Sequence, residues 1–108
     1  MVYEYKRRCQ GVFKERYMTQ VGWRNFLTLC LSVNDEKELN MLFDLLLTPE
    51  EIENIGMRCL IVADLVADKK TQREIAKDLN VSIAKITRGS NELKRIPPKL
   101  KQFLKEKL

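Results

Sequence analysis

From Val21 onward the apolar side chains fall on helical spacing. Trp23, Phe26, Leu27, Cys30 and Leu31 follow i, i+3, i+4, i+7, i+8, which is one face of a helix. Asn34 and Asp35 interrupt that face, and either is suited to cap the next helix. Leu39, Leu42, Phe43 and Leu46 then repeat the spacing. Thr48-Pro49-Glu50-Glu51 is a strong start signal, with a Thr cap, Pro at the first helical position and Glu51 placed to complete a capping box. The helix it opens is expected to run to about Asp68. Its later half, with Met57, Leu60, Ile61, Val62, Leu65 and Val66, is apolar on most sides, so burial on more than one face is expected. Thr71 opens a short helix through Leu79, Ser82 opens another through about Arg95, and Pro97-Pro98 sets off a last amphipathic helix. The stretch before Gln20 holds three Tyr and Phe13 without a clean period and reads as loosely structured. No segment alternates with period two for long enough to form a strand. The pattern predicts an all-α chain of about six helices.

Composition narrows the function. At 108 residues, 44% apolar and 32% charged, the chain has the length of one folded domain. The densest apolar run, Leu42 to Leu47, is broken by Asp44, so no membrane span and no membrane partner is expected. There is no His, which removes the commonest general base and the commonest metal ligand together. Without a Gly-rich phosphate loop or a base–nucleophile pair either, the sequence predicts no enzyme, no catalytic residue and no metal site. Cys9, Cys30 and Cys59 are odd in number and widely spaced, as in reduced thiols of a cytoplasmic protein. The basic N-terminus has no apolar core of a secretory signal.

A net charge of +5 conceals a strong asymmetry. Residues 35–68 carry nine acids against two bases, whereas residues 69–108 carry twelve bases against four acids. An acidic middle joined to a basic end suggests a polyanion-binding region attached to something else. Within that end, Gln72 to Arg88 has helix-turn-helix spacing. Small Ala76 falls where two helices would approach, Leu79, Val81 and Ile86 fall where apolar contacts would pin them, and Asn80 stands at the left-handed turn. Ser82, Ile83, Ala84 and Lys85 then face outward from the second helix. An exposed Ile there suits an apolar partner such as a thymine methyl. An αα-hairpin serving as a protein-interaction adaptor is the alternative from another class.

Leu45-Leu46-Leu47-Thr48-Pro49-Glu50-Glu51, Arg58, Thr71-Gln72-Arg73-Glu74-Ile75 and Ile86-Thr87-Arg88-Gly89-Ser90-Asn91, with Leu93-Lys94, resemble the tryptophan (trp operon) repressor family. The resemblance extends from about Trp23 to Leu104. It implies an intertwined homodimer whose reading heads are positioned on operator DNA by bound L-tryptophan, a corepressor ligand, with no other cofactor. This family is itself a standard example of helix-turn-helix docking. It implies a repressor of tryptophan biosynthesis or transport genes occupying residues 21–108, with the DNA-binding segment at 72–95. Residues 1–20 would be a basic arm, and two readings of 1–17 stay open: a segment touching DNA backbone, or sequence upstream of a start at Met18.

By the same resemblance the ligand pocket comprises Leu45, Leu47 and Thr48 from one subunit's helix junction, together with Arg58, Arg88 and Gly89. A guanidinium at Arg88 and the Thr48 hydroxyl suit a carboxylate, Arg58 and Arg88 suit the faces of an indole, and Gly89 leaves room for close approach. Carbonyls around Leu45 and Leu47 would meet the ammonium. Glu92 departs from the family, which often has Ser there. It could pair with the ligand ammonium, occupy Arg88 in the empty protein, or mark a different ligand. On DNA, Arg73 suits the two acceptors of guanine, while Ile83, Ala84 and Lys85 supply further groove contacts. Gln72, Thr87, Asn91 and Lys94 read as phosphate contacts that set register, and Ser82 caps the reading helix. Dimerisation is expected independently, because the second and third helices offer more apolar surface than so small a domain can cover.

Overall fold

The structure, a computed structural model, describes residues 11–108. Among these, six helices and no strand are present: α1 (Gly11–Ser32), α2 (Glu36–Leu46), α3 (Pro49–Ala67), α4 (Gln72–Leu79), α5 (Ile83–Arg95) and α6 (Pro98–Lys107). The chain divides into two units between Leu46 and Leu47. Cys30 and Cys59 are free thiols. Residues 1–10, and with them Cys9 and half of the expected basic arm, lie outside the described residues.

In the N-terminal unit, α1 corrects the loose reading for residues 11–20, which are helical. The physical reason is that apolar period reports burial, not helicity. Residues 12–20 contain no Gly or Pro to stop a helix that the Trp23 face has nucleated. Hydroxyls along it turn inward, with Thr19 Oγ1 donating to the Glu15 carbonyl at 2.9 Å and Thr28 Oγ1 to the Arg24 carbonyl at 3.0 Å. Asp35 caps α2, its carboxylate accepting from the Glu38 amide at 2.7 Å. Phe26 bridges the two helices, stacked on Trp23 with centroids 5.3 Å apart and on Phe43 at 6.0 Å. Cys30, Leu39 and Leu42 are half-buried, but much apolar surface stays uncovered within the chain: Trp23 is 61% exposed, Leu31 87%, Met41 63% and Leu45 80%.

The C-terminal unit is built by its caps. The Thr48 hydroxyl accepts from the Glu51 amide at 3.2 Å, while the Glu51 carboxylate accepts from the Thr48 amide at 2.8 Å. Hydrogen bonding by the Thr48 backbone amide, and then by its side chain, holds the Glu51 carboxyl below its ordinary range. Thr71 and Glu74 repeat the same box on α4. Asp68 ends α3 and Asn80 ends α4, both left-handed at φ 54°. The second was expected. At Asn80 the Val81 amide reaches back to the Ala76 carbonyl at 3.0 Å, closing the helix end and turning Val81 into the core. Ile96, preceding Pro97, is extended and ends α5.

Ile61 of α3, Ile75 of α4 and Ile86 of α5 are buried, with Met57, Leu65, Ala76, Leu79 and Val81 packed around them. In the later half of α3, Ile61 is buried and Val62, Leu65 and Val66 are half-buried, so the helix is at least partly covered on more than one face. Leu60, with Ile52 and Ile55 earlier in the helix, remains exposed in the single chain.

Ile86→Ala should cost about 2–5 kcal/mol, the usual range for emptying a buried Ile site, and thermal unfolding would measure it. Because the Glu51 carboxyl is lowered, its stabilisation is complete above the unfolded-state pKa. It is lost as pH falls through the lowered folded-state value. Wild type should therefore melt above Glu51→Gln at neutral pH and converge with it in acid. A difference constant with pH would assign the effect to something other than the carboxylate.

Candidate ligand cleft and nucleic-acid interface

The turn between α4 and α5 is held by Asn80, and the Ser82 hydroxyl accepts from the Lys85 amide at 3.4 Å to start α5. From that first turn Ser82, Ile83, Ala84 and Lys85 are all exposed, Ile83 by 46% despite its apolar side chain. Arg73, Thr87, Asn91 and Lys94 are exposed as well, and Gln72 is half-buried. Thr87 Oγ1 donates to Gln72 Oε1 at 2.9 Å. The two side chains read as phosphate contacts thus clamp α4 to α5 in the free chain.

A cleft of about 610 Å³ lies between α3, α5 and α6. Arg58 reaches it from α3, and Lys85, Arg88, Gly89 and Glu92 line it from α5, spaced so that one stripe of that helix faces it. Four residues of the expected ligand site, Arg58, Arg88, Gly89 and Glu92, are therefore brought together. Leu47 and Thr48 are not among the lining residues, and Leu45 belongs to the N-terminal unit. The Thr48 hydroxyl is engaged as an acceptor in the α3 cap.

Gly89 has a packing reason of its own. A Cβ there would come 3.3 Å from both Ile61 Cγ2 and Leu65 Cδ1, tighter than ordinary contact, so its small size favours the close packing of α5 on α3. Glu92 does not occupy Arg88 in the free chain. It pairs one turn along with Arg95 at 3.4 Å, where both side chains are well exposed and solvent screens the pair.

Sequence reasoning missed the apolar wall that α6 adds through Leu100 and Leu104, with Ile96 before it. The amphipathic pattern after Pro97-Pro98 was its available signal. It also missed the tie that Lys70, between α3 and α4, makes to α3 and to the last turn of α4. Lys70 pairs with Asp78 at 2.9 Å and Asp64 at 3.8 Å, and the Asp78 hydrogen bond with the two carboxylate charges raises its pKa. No helix among the described residues is long and apolar enough to cross a membrane. No group of three or more metal-capable acids and thiols occurs among them.

A left-handed turn between two capped helices, with a basic outward face and a three-isoleucine core behind it, defines an all-helical helix-turn-helix protein. The family model described as Trp repressor protein matches residues 21–108. The chain belongs to this family. It is 51% identical over 84 residues to a Trp operon repressor homolog of Chlamydia caviae, covering 78% of this chain and 83% of that one. It is 46% identical over 87 residues to a Trp operon repressor homolog of Chlamydia trachomatis, covering 81% and 93%. With a Trp operon repressor homolog of Mannheimia succiniciproducens it shares 48% over 85 residues, covering 78% and 83%.

If the Gln72–Thr87 bond clamps the reading head, Gln72→Ala and Thr87→Val should be non-additive in stability. Partial exposure places the coupling toward the low end of the roughly 0.5–1.5 kcal/mol of a typical hydrogen bond. A double-mutant cycle by denaturant unfolding measures it. Strict additivity would leave both side chains to DNA alone.

Proposed function

We propose that the chain is a DNA-binding transcriptional repressor of tryptophan biosynthesis or transport genes, acting as a cytoplasmic homodimer and activated by L-tryptophan. The observation that carries the reading is that one helix serves two surfaces. Lys85, Arg88, Gly89 and Glu92 of α5 line a cationic and apolar cleft, while Ser82, Ile83, Ala84 and Thr87 at the start and along the outer side of the same helix are exposed for DNA. A ligand gripped by the first set fixes the attitude of the second. The family is one of regulators rather than of enzymes, and the ligand is bound without being transformed.

In the cleft, Arg88 pairs with the ligand carboxylate and the guanidinium planes of Arg58 and Arg88 flank the indole. Met57, Ile61 and Val62 give its apolar bed. Leu45, Leu47 and Thr48 complete the site from the second subunit. The exposed Trp23, Leu31, Met41 and Leu45 support that dimer, because a monomer rarely leaves so much apolar surface in water. On DNA, Arg73, Ile83, Ala84 and Lys85 meet bases, while Gln72, Thr87, Asn91 and Lys94 meet phosphates. Glu92 favours one second reading, a same-fold regulator of another amine or indole, since a carboxylate stands where Ser is common.

Calorimetric titration of L-tryptophan into wild type, Arg88→Ala and Glu92→Ser tests both readings. Wild type should bind, and Arg88→Ala should bind roughly ten- to a hundredfold more weakly for want of a charge-assisted hydrogen bond. Gel shifts should tighten when tryptophan is added. Absence of tryptophan heat from wild type and from Glu92→Ser alike would remove the corepressor. Sedimentation of a folded monomer at micromolar concentration would remove the dimer.

A further inference from the structure

A second cleft, of about 320 Å³, lies between the end of α3, the start of α4, the later half of α5 and α6. Lys70, Lys94, Lys101 and Lys105 line it against a single carboxylate, that of Asp68. Lys70 is held by Asp64 and Asp78, but no ion pair or side-chain hydrogen bond among the described residues engages the ammonium groups of Lys94, Lys101 or Lys105. Lys101 is half-buried and Lys105 follows it by one turn of α6, so both occupy one face of that helix. Three lysines without an ion pair thus line one cleft from two helices with only Asp68 to offset them, and one of them is partly withdrawn from water. Such an arrangement is relieved by an anion.

We infer that this cleft is a seat for the phosphodiester backbone of DNA, carried by Lys101 and Lys105 of α6 and lying beyond the helix-turn-helix. The inference rests on the DNA-binding reading proposed above. Gln72 and Lys94 line the cleft and also belong to the reading head, so a strand whose phosphates meet those two residues is led directly onto α6. Two lysines one turn apart suit a chain of phosphates better than one small anion. The seat reads no sequence, because it reaches no base edge. It lengthens the footprint and adds affinity that salt removes.

The test measures binding of the full chain, with tryptophan present, to a mixed-sequence DNA duplex a few helical turns long, by fluorescence anisotropy across a salt series. Lys101→Gln/Lys105→Gln should lower the slope of log affinity against log salt by about 0.9 for each phosphate no longer neutralised. Lys101→Arg/Lys105→Arg should keep the wild-type slope. Lys99→Gln/Lys107→Gln, which removes the same charge from α6 outside the cleft, should stay close to wild type. Helical circular dichroism and melting confirm that each variant folds. An unchanged slope in the Lys101/Lys105 variant, or an equal loss in the Lys99/Lys107 variant, overturns the cleft as a phosphate seat while leaving DNA binding intact. Failure of wild type to bind any duplex overturns both readings.

Discussion

The packing of α5 onto α3 governs everything else in the C-terminal unit. Ile61, Ile75 and Ile86 meet there, and Gly89 eases the approach, since a Cβ would lie 3.3 Å from the side chains of Ile61 and Leu65, tighter than ordinary contact. A core of three buried side chains is small, so each contributes a large share of a marginal total. The attitude of α5 on this core fixes which stripe of the helix looks into the cleft and which looks out. The caps do the complementary work of fixing where each helix begins. Helices as short as α4, at eight residues, have little stability of their own.

Much of this architecture was legible in the order of residues alone. Thr48, Thr71 and Ser82 announce helix starts through hydroxyls that the structure finds in use, and Asn80 announces the turn by tolerating a left-handed backbone. Periodicity was less informative toward the N-terminus, where residues 11–20 are helical without a clean apolar period. Asp68 takes the same left-handed conformation as Asn80, but an Asp between an apolar run and two lysines gives no comparable signal.

The site was legible in a different way. Motif resemblance drew attention to Arg58, Arg88, Gly89 and Glu92, and folding places them around one cleft. What the motif did not supply was their competing occupation within the chain. Gly89 answers to helix packing, Gln72 and Thr87 answer to one another, and Glu92 answers to Arg95. Such interactions join residues that sequence order separates, or choose among several nearby partners, so they emerge only in three dimensions. The wall from α6 belongs to the same class, since amphipathicity reveals that a helix has an apolar face but not what it covers.

The two stripes of α5 have one residue in common. Arg88, Gly89 and Glu92 look into the cleft, Ile83, Ala84 and Thr87 are exposed beside the turn, and Lys85 stands in both sets. On the proposed reading, substitutions on either stripe alone can retune what the protein senses or what it reads, each without disturbing the other. A change at Lys85 cannot be confined in this way. Variation among related chains should therefore be freer at Glu92 or Ala84 than at this lysine, where small-molecule chemistry and base sequence are coupled through a single flexible side chain.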